Sequence, residues 1–416
     1  MSKKVLIVSY TFPPSQHVGG RRWSKMAFHL AKAGNEVHVI TAIADKRGKY
    51  STTTSDGITI HRIHSGYPDV LTNYNIKSLF QKAKYALTVR YLNYTNKGNM
   101  YDKSVCWKNA IQAKIIEITT KEEIVNVVVS APPFQHMFYV AELKDRYPHL
   151  NVILDFRDPW AEYADFQEFY SLTSEKMQYQ LQIEKIALEK ADAVISISDG
   201  ITDGLKKLVN CSESKFATIT NGVDRSDYEF LEKMPSLNSN VFSIVYYGSL
   251  YPLTEDNLRA LVGFINENKQ ALLNANVKFE FCGHINEEGL SILKNAAPGL
   301  LICHGIKPYK EALRLLNEAS VGLIIIAKGH EDVQFNTKLM ECIALHKKIF
   351  LIGPDGNVGH FLREHNIGTR FSNETIGEML NWITDKDKLN TLSYKNFDLS
   401  PFEYVNLAKQ VEALFK

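Results

Sequence analysis

The sequence predicts an α/β protein of two Rossmann-like, doubly wound domains, each a parallel sheet with helices on both faces. Its 416 residues are too many for one ordinary hydrophobic core. Short apolar runs that end in Gly, Pro or Ser alternate with amphipathic stretches, which is typical of parallel strands joined by crossover helices. A polar, proline-bearing stretch at 224–240 interrupts the alternation, which then restarts. We therefore expect a first domain at 1–225, a linker at 226–240 and a second domain at 241–399.

The apolar runs locate the strands of both domains. They lie at 4–9, 36–41, 58–63, 125–130, 152–156, 193–197 and 216–220, and then at 242–247, 277–282, 300–304, 321–326 and 348–352. The segment 400–416 predicts an amphipathic helix, and we expect its apolar face to pack on the first domain. Open parallel sheets bind ligands beyond the carboxyl ends of their strands, so we expect the two domains to face a shared cleft.

Composition narrows the class of protein. The formal net charge is only +2, which argues against a general nucleic-acid binder. Five scattered cysteines without a C-x-x-C pair argue against a disulfide framework and a zinc knuckle, and favour a reducing cytoplasm. We find no signal peptide and no apolar run long enough to cross a bilayer.

The first strand leads into a glycine-rich helix entry that ends in Gly19-Gly20-Arg21-Arg22. Two glycines at a helix entry let the backbone approach a ligand, with free amide groups and an arginine directed at it. The G-x-G-x-x-G spacing of a dinucleotide site is absent, so a plain structural turn remains the alternative.

A histidine follows the strand at 125–130. Pro132 and Pro133 end this strand and begin a helix that carries His136 in its first turn. A helix start disfavours a second proton, so His136 should stay neutral and suit a hydrogen bond to a sugar. The alternative is a capping or packing histidine.

Charged residues and a tryptophan follow the strand at 152–156. Arg157, Asp158 and Trp160 stand at its carboxyl end, after Asp155. They could hold sugar hydroxyls and stabilise positive charge at an anomeric carbon. The alternative is an internal ion-pair lock between loops.

The segment 336–345 predicts the helix of a strand–helix–strand unit, with Thr337 as N-cap. Lys338 in its first turn opposes the helix macrodipole unless an anion such as phosphate binds there. Glu341 lies one turn further on the same side, where its carboxylate could accept two sugar hydroxyls. The alternative is an exposed i,i+3 ion pair.

In this order, and with 191–196 and 221–224 between them, these segments resemble family 4 of the GT-B glycosyltransferases, in the branch that builds bacterial capsule and O-antigen polysaccharides. The resemblance implies that Glu341 holds the donor ribose and Lys338 the diphosphate. It also implies that the Gly19-Gly20 loop contacts the diphosphate, and that His136 and Asp158 act on the transferred sugar and the acceptor. Reaction with retention of configuration and without a covalent intermediate is implied as well.

Two positions depart from the family pattern. The family has a second glutamate eight positions before Glu341, where this sequence has Val333, with Glu331 and Asp332 close by. The family also has an arginine and a lysine after the first strand of the second domain, and the segment 247–255, which contains Gly248, has neither. Phosphate charge must then be met by Lys338, Arg21 or Arg22.

The region 77–114 is rich in basic and aromatic residues and has Asp102 as its one acid. This composition suits an anionic membrane surface. A nucleic-acid groove has a similar composition, and a solvated helix pair with inward aromatics is the third interpretation. The basic residues are Lys77, Lys82, Lys84, Arg90, Lys97, Lys103, Lys108 and Lys114, and the aromatic ones Phe80, Tyr85, Tyr91, Tyr94, Tyr101 and Trp107.

Together these features predict a cytoplasmic, metal-independent glycosyltransferase at the inner face of the cell membrane. It takes a nucleotide-diphosphate sugar, needs no cofactor or nucleic acid, and glycosylates a glycan, which we expect to be lipid-linked. A nucleotide-sugar epimerase and a catalytically silent GT-B scaffold subunit are the rival functions. The predicted catalytic residues are His136, Asp158 and Lys338, the donor-binding ones Gly19, Gly20, Arg21, Arg22, Gly248, Thr337, Lys338 and Glu341, and the acceptor or sugar contacts Arg157 and Trp160.

Overall fold

A computed structural model describes residues 2–15, 18–43, 50–72, 78–161, 172–232, 240–250 and 252–416. The chain divides into two compact units. Domain 1 comprises Met1–Thr220 together with Tyr404–Lys416, and domain 2 comprises Asn221–Glu403. The boundary therefore falls slightly before the one expected at 225. Part of the expected linker, at 233–239, lies outside the described residues.

Domain 1 is built on an eight-stranded sheet of order β3-β4-β2-β1-β5-β6-β7-β8. All pairings are parallel except that of β3 with β4. The order reverses between β1 and β5, so these strands form the switch point at which such sheets bind ligands. The strands are β1 (Lys4–Ser9), β2 (Glu36–Ala42), β3 (Ser51–Ser55), β4 (Ile58–Ile63), β5 (Asn126–Ala131), β6 (Asn151–Phe156), β7 (Ala193–Ser196) and β8 (Phe216–Thr218).

The helices of domain 1 cover this sheet. The C-terminal helix buries Leu407, Ala408 and Val411 in the same apolar cluster as Trp23 and Leu30 of the first helix. This confirms the expected packing of the C-terminal helix on the first domain. The helices are α1 (Val18–Lys32), α2 (Leu79–Thr95), α3 (Lys108–Lys121), α4 (Gln135–Ala141), α5 (Ser174–Lys190), α6 (Asp199–Leu208) and, at the end of the chain, α16 (Tyr404–Glu412).

Domain 2 has a parallel six-stranded sheet of order β11-β10-β9-β12-β13-β14, with its switch point between β9 and β12. Its strands are β9 (Phe242–Tyr247), β10 (Val277–Cys282), β11 (Leu301–Gly305), β12 (Val321–Ile325), β13 (Lys348–Ile352) and β14 (Gly368–Phe371). Its helices are α7 (Glu229–Glu232), α8 (Glu255–Glu267), α9 (Lys269–Asn274), α10 (Glu287–Lys294), α11 (Tyr309–Glu318), α12 (Thr337–Ala344), α13 (Asn357–Glu364), α14 (Met379–Thr384) and α15 (Lys386–Asn390).

A buried ion pair fixes the carboxyl edge of the domain 1 sheet. Asp155, at the end of β6, is fully buried, and its Oδ1 accepts from Arg22 Nε at 3.2 Å and Nη2 at 3.0 Å. Its Oδ2 accepts from Trp23 Nε1 at 2.6 Å and Ser130 Oγ at 2.9 Å. Arg22 also donates to the carbonyl oxygens of residues 219 and 220. One carboxylate thus joins α1, β5 and β6.

We expect Arg22→Leu to lower the stability of domain 1 by about 3–5 kcal/mol, because it leaves the Asp155 carboxylate buried without its counter-ion. The exposed pair of Arg225 with Glu403 provides the control, and Arg225→Leu should cost about 1 kcal/mol or less. Urea unfolding followed by circular dichroism measures both variants. Equal losses in the two variants would contradict the structural role of the buried pair.

Candidate functional site

In domain 2, α12 begins directly at the carboxyl edge of the sheet. Asn336 is its N-cap, because the Asn336 side chain accepts from Leu339 N at 3.1 Å. The expectation that Thr337 caps this helix is therefore wrong, and Thr337 is the first helical residue. Asparagine and threonine are both good N-caps, so the sequence alone does not fix the register between neighbours.

Lys338 extends from the first turn of α12 to the end of β9. Its Nζ donates to the Tyr246 hydroxyl at 2.6 Å and to the Ser249 carbonyl at 3.3 Å. The ammonium also lies 4.6 Å from the centre of the Tyr246 ring. Lys338 is thus directed at the switch point of the sheet.

Gly248 makes room for this lysine. Its φ of 121° is unfavourable for other residues, and a Cβ atom there would lie 2.3 Å from Lys338 Cε. Backbone conformation and the neighbouring Lys338 side chain therefore explain the glycine at this position without a ligand. Its expected part in donor binding stays a prediction.

Glu341 is almost completely buried, with 3% of its surface exposed. Its Oε1 accepts from the Tyr309 hydroxyl of α11 at 2.9 Å. Because exposed ion pairs need solvent-facing side chains, this burial argues against a surface pair with Lys338. The carboxylate is instead held in a fixed position one turn after the lysine.

The loop before α12 bears on the missing family glutamate. Val333 is buried and apolar at 3% exposure, so it offers no polar group. Glu331, two residues earlier, has an Oε2 atom that is buried and has no hydrogen-bond partner in the described chain. A buried carboxylate oxygen without a donor is costly, and a ligand hydroxyl would satisfy it.

In domain 1, Arg157 binds backbone carbonyl groups. It donates to the carbonyl oxygens of Ala131 at 2.9 Å, Gly19 at 2.7 Å and Pro132 at 2.9 Å. The expectation that Arg157 contacts the acceptor or sugar is corrected here, because these carbonyls hold its guanidinium. Arg157 therefore joins loops through backbone carbonyl groups, whereas the carboxylate of Asp155 pairs with Arg22.

The same contacts account for the two glycines at the start of α1. A Cβ atom on Gly19 would lie 2.8 Å from Arg157 Nη1, and one on Gly20 would lie 2.9 Å from the Thr11 carbonyl oxygen. Gly20 is therefore required by packing against the backbone, and Gly19 leaves room for the Arg157 guanidinium. Donor binding by Gly19, Gly20 and the half-buried Arg21 stays a prediction.

Two predicted ligand contacts are part of the core. Arg22 was expected to bind the donor, but it is 2% exposed and is held by Asp155. Trp160 was expected to contact the acceptor or sugar, but it is 1% exposed and stacks on Phe134 at 5.5 Å. Its Nε1 donates to Gln180 Oε1 at 2.7 Å. The polar atoms of both side chains are already bonded within the protein, so neither side chain is left to bind a ligand.

The amino end of α4 is capped by side chains from the loop between α2 and α3. Asp102 Oδ2 accepts from Phe134 N at 2.6 Å and Gln135 N at 3.1 Å, and Ser104 Oγ accepts from His136 N at 3.1 Å. These acceptors use the amide groups that a phosphate would otherwise bind. The one acid of the 77–114 region is therefore a buried cap.

His136 is fully buried behind this cap. Its Nε2 lies 3.1 Å from the Ser130 carbonyl oxygen and must donate to it, which leaves Nδ1 as an acceptor. Nδ1 is buried and has no hydrogen-bond partner in the part of the chain described. Burial lowers the pKa of His136 to about 3, which agrees with the expected neutral imidazole.

Asp158 is the second residue of domain 1 that was predicted to be catalytic. Burial raises the pKa of Asp158 to about 6, although the Arg157 charge opposes the rise. A carboxyl group with this pKa can exchange a proton near neutral pH.

The 77–114 region has two unlike parts, and Lys77 lies outside the described residues. Trp107 is fully buried, while Lys108 and Lys114 pair with Glu142 at 2.6 Å and Glu117 at 2.7 Å. One continuous lipid-facing surface over 77–114 is therefore wrong, because α3 packs into the core.

Helix α2 has the opposite character. It contains no acidic residue, and Leu92 is its one buried residue among those described. The exposed fractions of its large side chains are 85% for Leu79, 78% for Phe80, 69% for Leu87, 65% for Tyr91 and 91% for Tyr94. We call these five residues the outward face of α2. Exposed apolar groups of this size mark an interaction surface.

Lys82, Lys84 and Arg90 of α2 are also exposed, so the outward face lies among basic side chains. No helix in the described ranges is both long and apolar enough to span a bilayer.

Comparison with known proteins identifies the fold. No protein-family model and no curated protein sequence matches the chain. Among solved structures, an apo form of OtsA superposes with a TM-score of 0.67 at 11% identity, over 100% of this chain and 99% of that one. A glycosyltransferase from Rickettsia africae ESF-5 gives 0.60 at 16%, over 99% and 98%. The N-terminal domain of Candida albicans trehalose-6-phosphate phosphatase gives 0.64 at 13%, over 99% and 96%.

At such low sequence identities, the structural similarity establishes the fold alone. It confirms the predicted GT-B fold of two α/β domains with parallel sheets. Tyr246 and Tyr309 are the candidate site residues that sequence reasoning missed. The sequence signal for Tyr246 as a site residue was its position just before the Gly248 turn, at the switch point of the sheet.

If Lys338 contacts the diphosphate of a donor, as the family resemblance implies, Lys338→Ala should raise the activation free energy for kcat/KM by about 2–4 kcal/mol, because that contact strengthens as the leaving group gains charge. Glu341→Ala should weaken nucleoside diphosphate affinity by about 1.5–3 kcal/mol. Titration of wild type and both variants with a panel of nucleoside diphosphates, alongside steady-state kinetics, measures both effects.

Lys388→Ala is the matched control, because Lys388 lies 4.7 Å from the Trp382 ring in the same domain. Both lysine variants should lose about 1 kcal/mol of stability or less. Unchanged nucleotide affinity in both site variants would remove the donor-site assignment.

The raised pKa of Asp158 predicts a pH-dependent stability. Asp158 is harder to ionise in the folded state than in the unfolded state. Its protonated form therefore contributes stability that is fully present below about pH 4, and this contribution is lost as pH rises through about 6. Asp158→Asn should therefore be more stable than wild type at pH 8 by at most about 2 kcal/mol, since the side chain keeps some solvent contact. Thermal melts from pH 4 to 8 test this, and parallel curves for the two proteins would refute it.

Proposed function

We propose that this protein is a retaining glycosyltransferase. It moves a sugar from a nucleotide-diphosphate donor to a hydroxyl of a lipid-linked glycan, as in bacterial capsule and O-antigen synthesis. The observation that carries the proposal is the position of Lys338, with its ammonium at the domain 2 switch point and the buried Glu341 one turn on. The likeness to a glycosyltransferase fold and the family resemblance of the ordered motifs support it.

Domain 2 binds the donor in this proposal. Glu341, oriented by Tyr309, accepts hydrogen bonds from the ribose hydroxyls. Lys338 keeps its contact with the Tyr246 hydroxyl and donates a second hydrogen to a diphosphate oxygen, which is the stronger of the two bonds because both of its partners are charged. Because Arg22 is committed to Asp155, Lys338 and Arg21 are the remaining predicted cations for the leaving group.

Glu331 takes a sugar hydroxyl in place of the glutamate that the family has at the position of Val333. Its buried Oε2 has no partner in the described residues, and a donor hydroxyl satisfies it. In this proposal Glu331 supplies the carboxylate for the sugar that Val333 cannot supply.

Domain 1 provides the neutral groups. His136 accepts a hydroxyl hydrogen at Nδ1 while Nε2 remains bonded to Ser130. The C1–oxygen bond to the diphosphate breaks as the acceptor hydroxyl attacks from the same face. The proton of that hydroxyl passes to the departing phosphate oxygen, so no covalent enzyme intermediate forms. Asp158, half-ionised near pH 6, holds an acceptor hydroxyl.

In this proposal the enzyme binds the inner surface of the cell membrane through the outward face of α2. Its apolar side chains enter the interface, and Lys82, Lys84 and Arg90 bind anionic headgroups, each contributing about 1 kcal/mol. A lipid-linked acceptor then lies in the same surface to which domain 1 is bound.

The direct test measures nucleoside diphosphate release from a panel of UDP-, GDP-, ADP- and TDP-sugars, with and without a membrane lipid extract as acceptor. Release that depends on the extract supports the proposal. Isomerised donor without extract indicates the epimerase, and donor binding without turnover indicates the silent subunit. Activity should persist in EDTA, because protein cations stabilise the leaving group. Loss that magnesium or manganese restores would contradict metal-independent transfer.

Membrane binding provides a separate prediction. Replacing Lys82, Lys84 and Arg90 with glutamate should abolish co-sedimentation with phosphatidylglycerol-containing liposomes, and wild-type binding should fall at high salt. Glutamate at the exposed Lys207, Lys269 and Lys386 is the control, because it changes net charge equally. Leu87→Ser with Tyr94→Ser tests the apolar part. Equal losses in control and α2 variants would show a general charge effect.

A further inference from the structure

A cluster of possible metal ligands lies in domain 1, away from the residues discussed so far. It consists of Glu36 and His38 on β2 and of Glu122, which follows α3 directly. One ligand atom of each residue lies within 4.8 Å of those of the other two. His38 is 6% exposed, whereas the two glutamates are partly open to solvent.

We propose that Glu36, His38 and Glu122 bind a zinc ion, with water as the fourth ligand. Zinc accepts imidazole nitrogen and carboxylate oxygen at about 2.0–2.2 Å, so tetrahedral ligand atoms stand about 3.3–3.5 Å apart. His38 Nε2 and Glu36 Oε1 are 3.1 Å apart in a hydrogen bond, so a small separation of the two atoms brings this edge to the required length. Glu122 completes the set by a movement of its partly exposed side chain.

The second nitrogen of His38 has the partner that a zinc-bound histidine requires. His38 Nδ1 lies 3.1 Å from His61 Nε2, and His61 Nδ1 lies 3.2 Å from Thr52 Oγ1. If Thr52 accepts from His61 and His61 accepts from His38, then His38 Nε2 carries a lone pair directed at Glu36. Without metal the opposite tautomer lets His38 Nε2 donate to Glu36, and zinc would select the tautomer that presents the lone pair. A neighbour of this kind fixes the ring of a metal ligand.

Two ammonium groups balance the carboxylates when no metal is bound. Lys4 Nζ lies 3.5 Å from Glu36 Oε2 and 2.8 Å from the Glu122 carbonyl oxygen. Lys121 Nζ lies 2.7 Å from Glu122 Oε1. The side chains of Lys4 and Lys121 are 40% and 75% exposed, so both can turn into solvent when a divalent ion replaces them.

The position of the cluster defines its role. Glu36 begins β2, so the cluster lies at the amino edge of the parallel sheet, opposite the edge that carries His136 and Asp158. Zinc here joins the end of α3 to the sheet. It stabilises domain 1 and takes no part in transfer, so the proposal stands independently of the proposed function.

The test is calorimetric titration of the chelator-treated full chain with zinc chloride, together with thermal melts. Wild type should bind one zinc ion and melt at a higher temperature when it is bound. Glu122→Gln and His38→Gln should each lower the affinity about tenfold or more, and His61→Phe about 10–100-fold. Glu122→Gln changes a partly exposed side chain and keeps the test valid if His38→Gln fails to fold.

Lys4→Met distinguishes a metal site from an ion-pair network. Loss of the competing ammonium should raise zinc affinity about two- to fivefold, whereas a network without metal would only lose stability. Glu117→Gln on α3 and His360→Gln in domain 2 are controls and should leave the affinity unchanged. Absence of saturable binding at about 100 µM zinc overturns the proposal. Binding that survives in Glu122→Gln and His38→Gln, or that disappears in His360→Gln, overturns it as well.

Discussion

The ligand-binding edge of domain 1 depends on the burial of the Asp155 carboxylate. A buried charge is tolerated only when it is paired and fully hydrogen-bonded, and Asp155 receives bonds from Arg22, Trp23 and Ser130. These bonds fix the start of α1 and the ends of β5 and β6. Arg157 adds a second set of bonds, to carbonyl groups at the same edge. Both arginines therefore serve the architecture, and the proposed function relies on His136 and Asp158 for the polar chemistry of this domain.

The sheets could be predicted from the sequence because their strands are buried on both faces and therefore consist of apolar runs. The strands β1, β4, β9, β10 and β13 have the bounds expected from those runs. The two strands that were missed lack the signal. All of β3 is exposed, with the sequence STTTS, and the short edge strand β14 contains Thr369 and Arg370 between its buried ends. An edge strand has one neighbour and less need for apolar side chains.

Side-chain partners were harder to predict, because they join residues that are far apart in the chain. Neighbouring Arg21 and Arg22 are indistinguishable in sequence, yet the partner of Arg22 is 133 positions away. Asp102 caps α4 from 32 positions before it, which no local pattern indicates. The cluster of Glu36, His38 and Glu122 also shows no metal-ligand motif in the sequence, because Glu122 is far from the other two residues in the chain. The motifs located the carboxyl edges correctly, but burial decided which of their residues remain for a ligand.

In the proposed function, the phosphate contacts of domain 2 are limited by the lack of an arginine and a lysine after β9. Tyr246 and Gly248 occupy this region, and the Lys338 side chain packs against both. A tyrosine hydroxyl and ring orient an ammonium without neutralising its charge, so Lys338 keeps its full attraction for an anion. In the proposed function, stabilisation of the leaving group is therefore concentrated on one oriented cation. Loss of the Tyr246 hydroxyl should accordingly act through the position of Lys338, and weaken catalysis more than nucleotide binding.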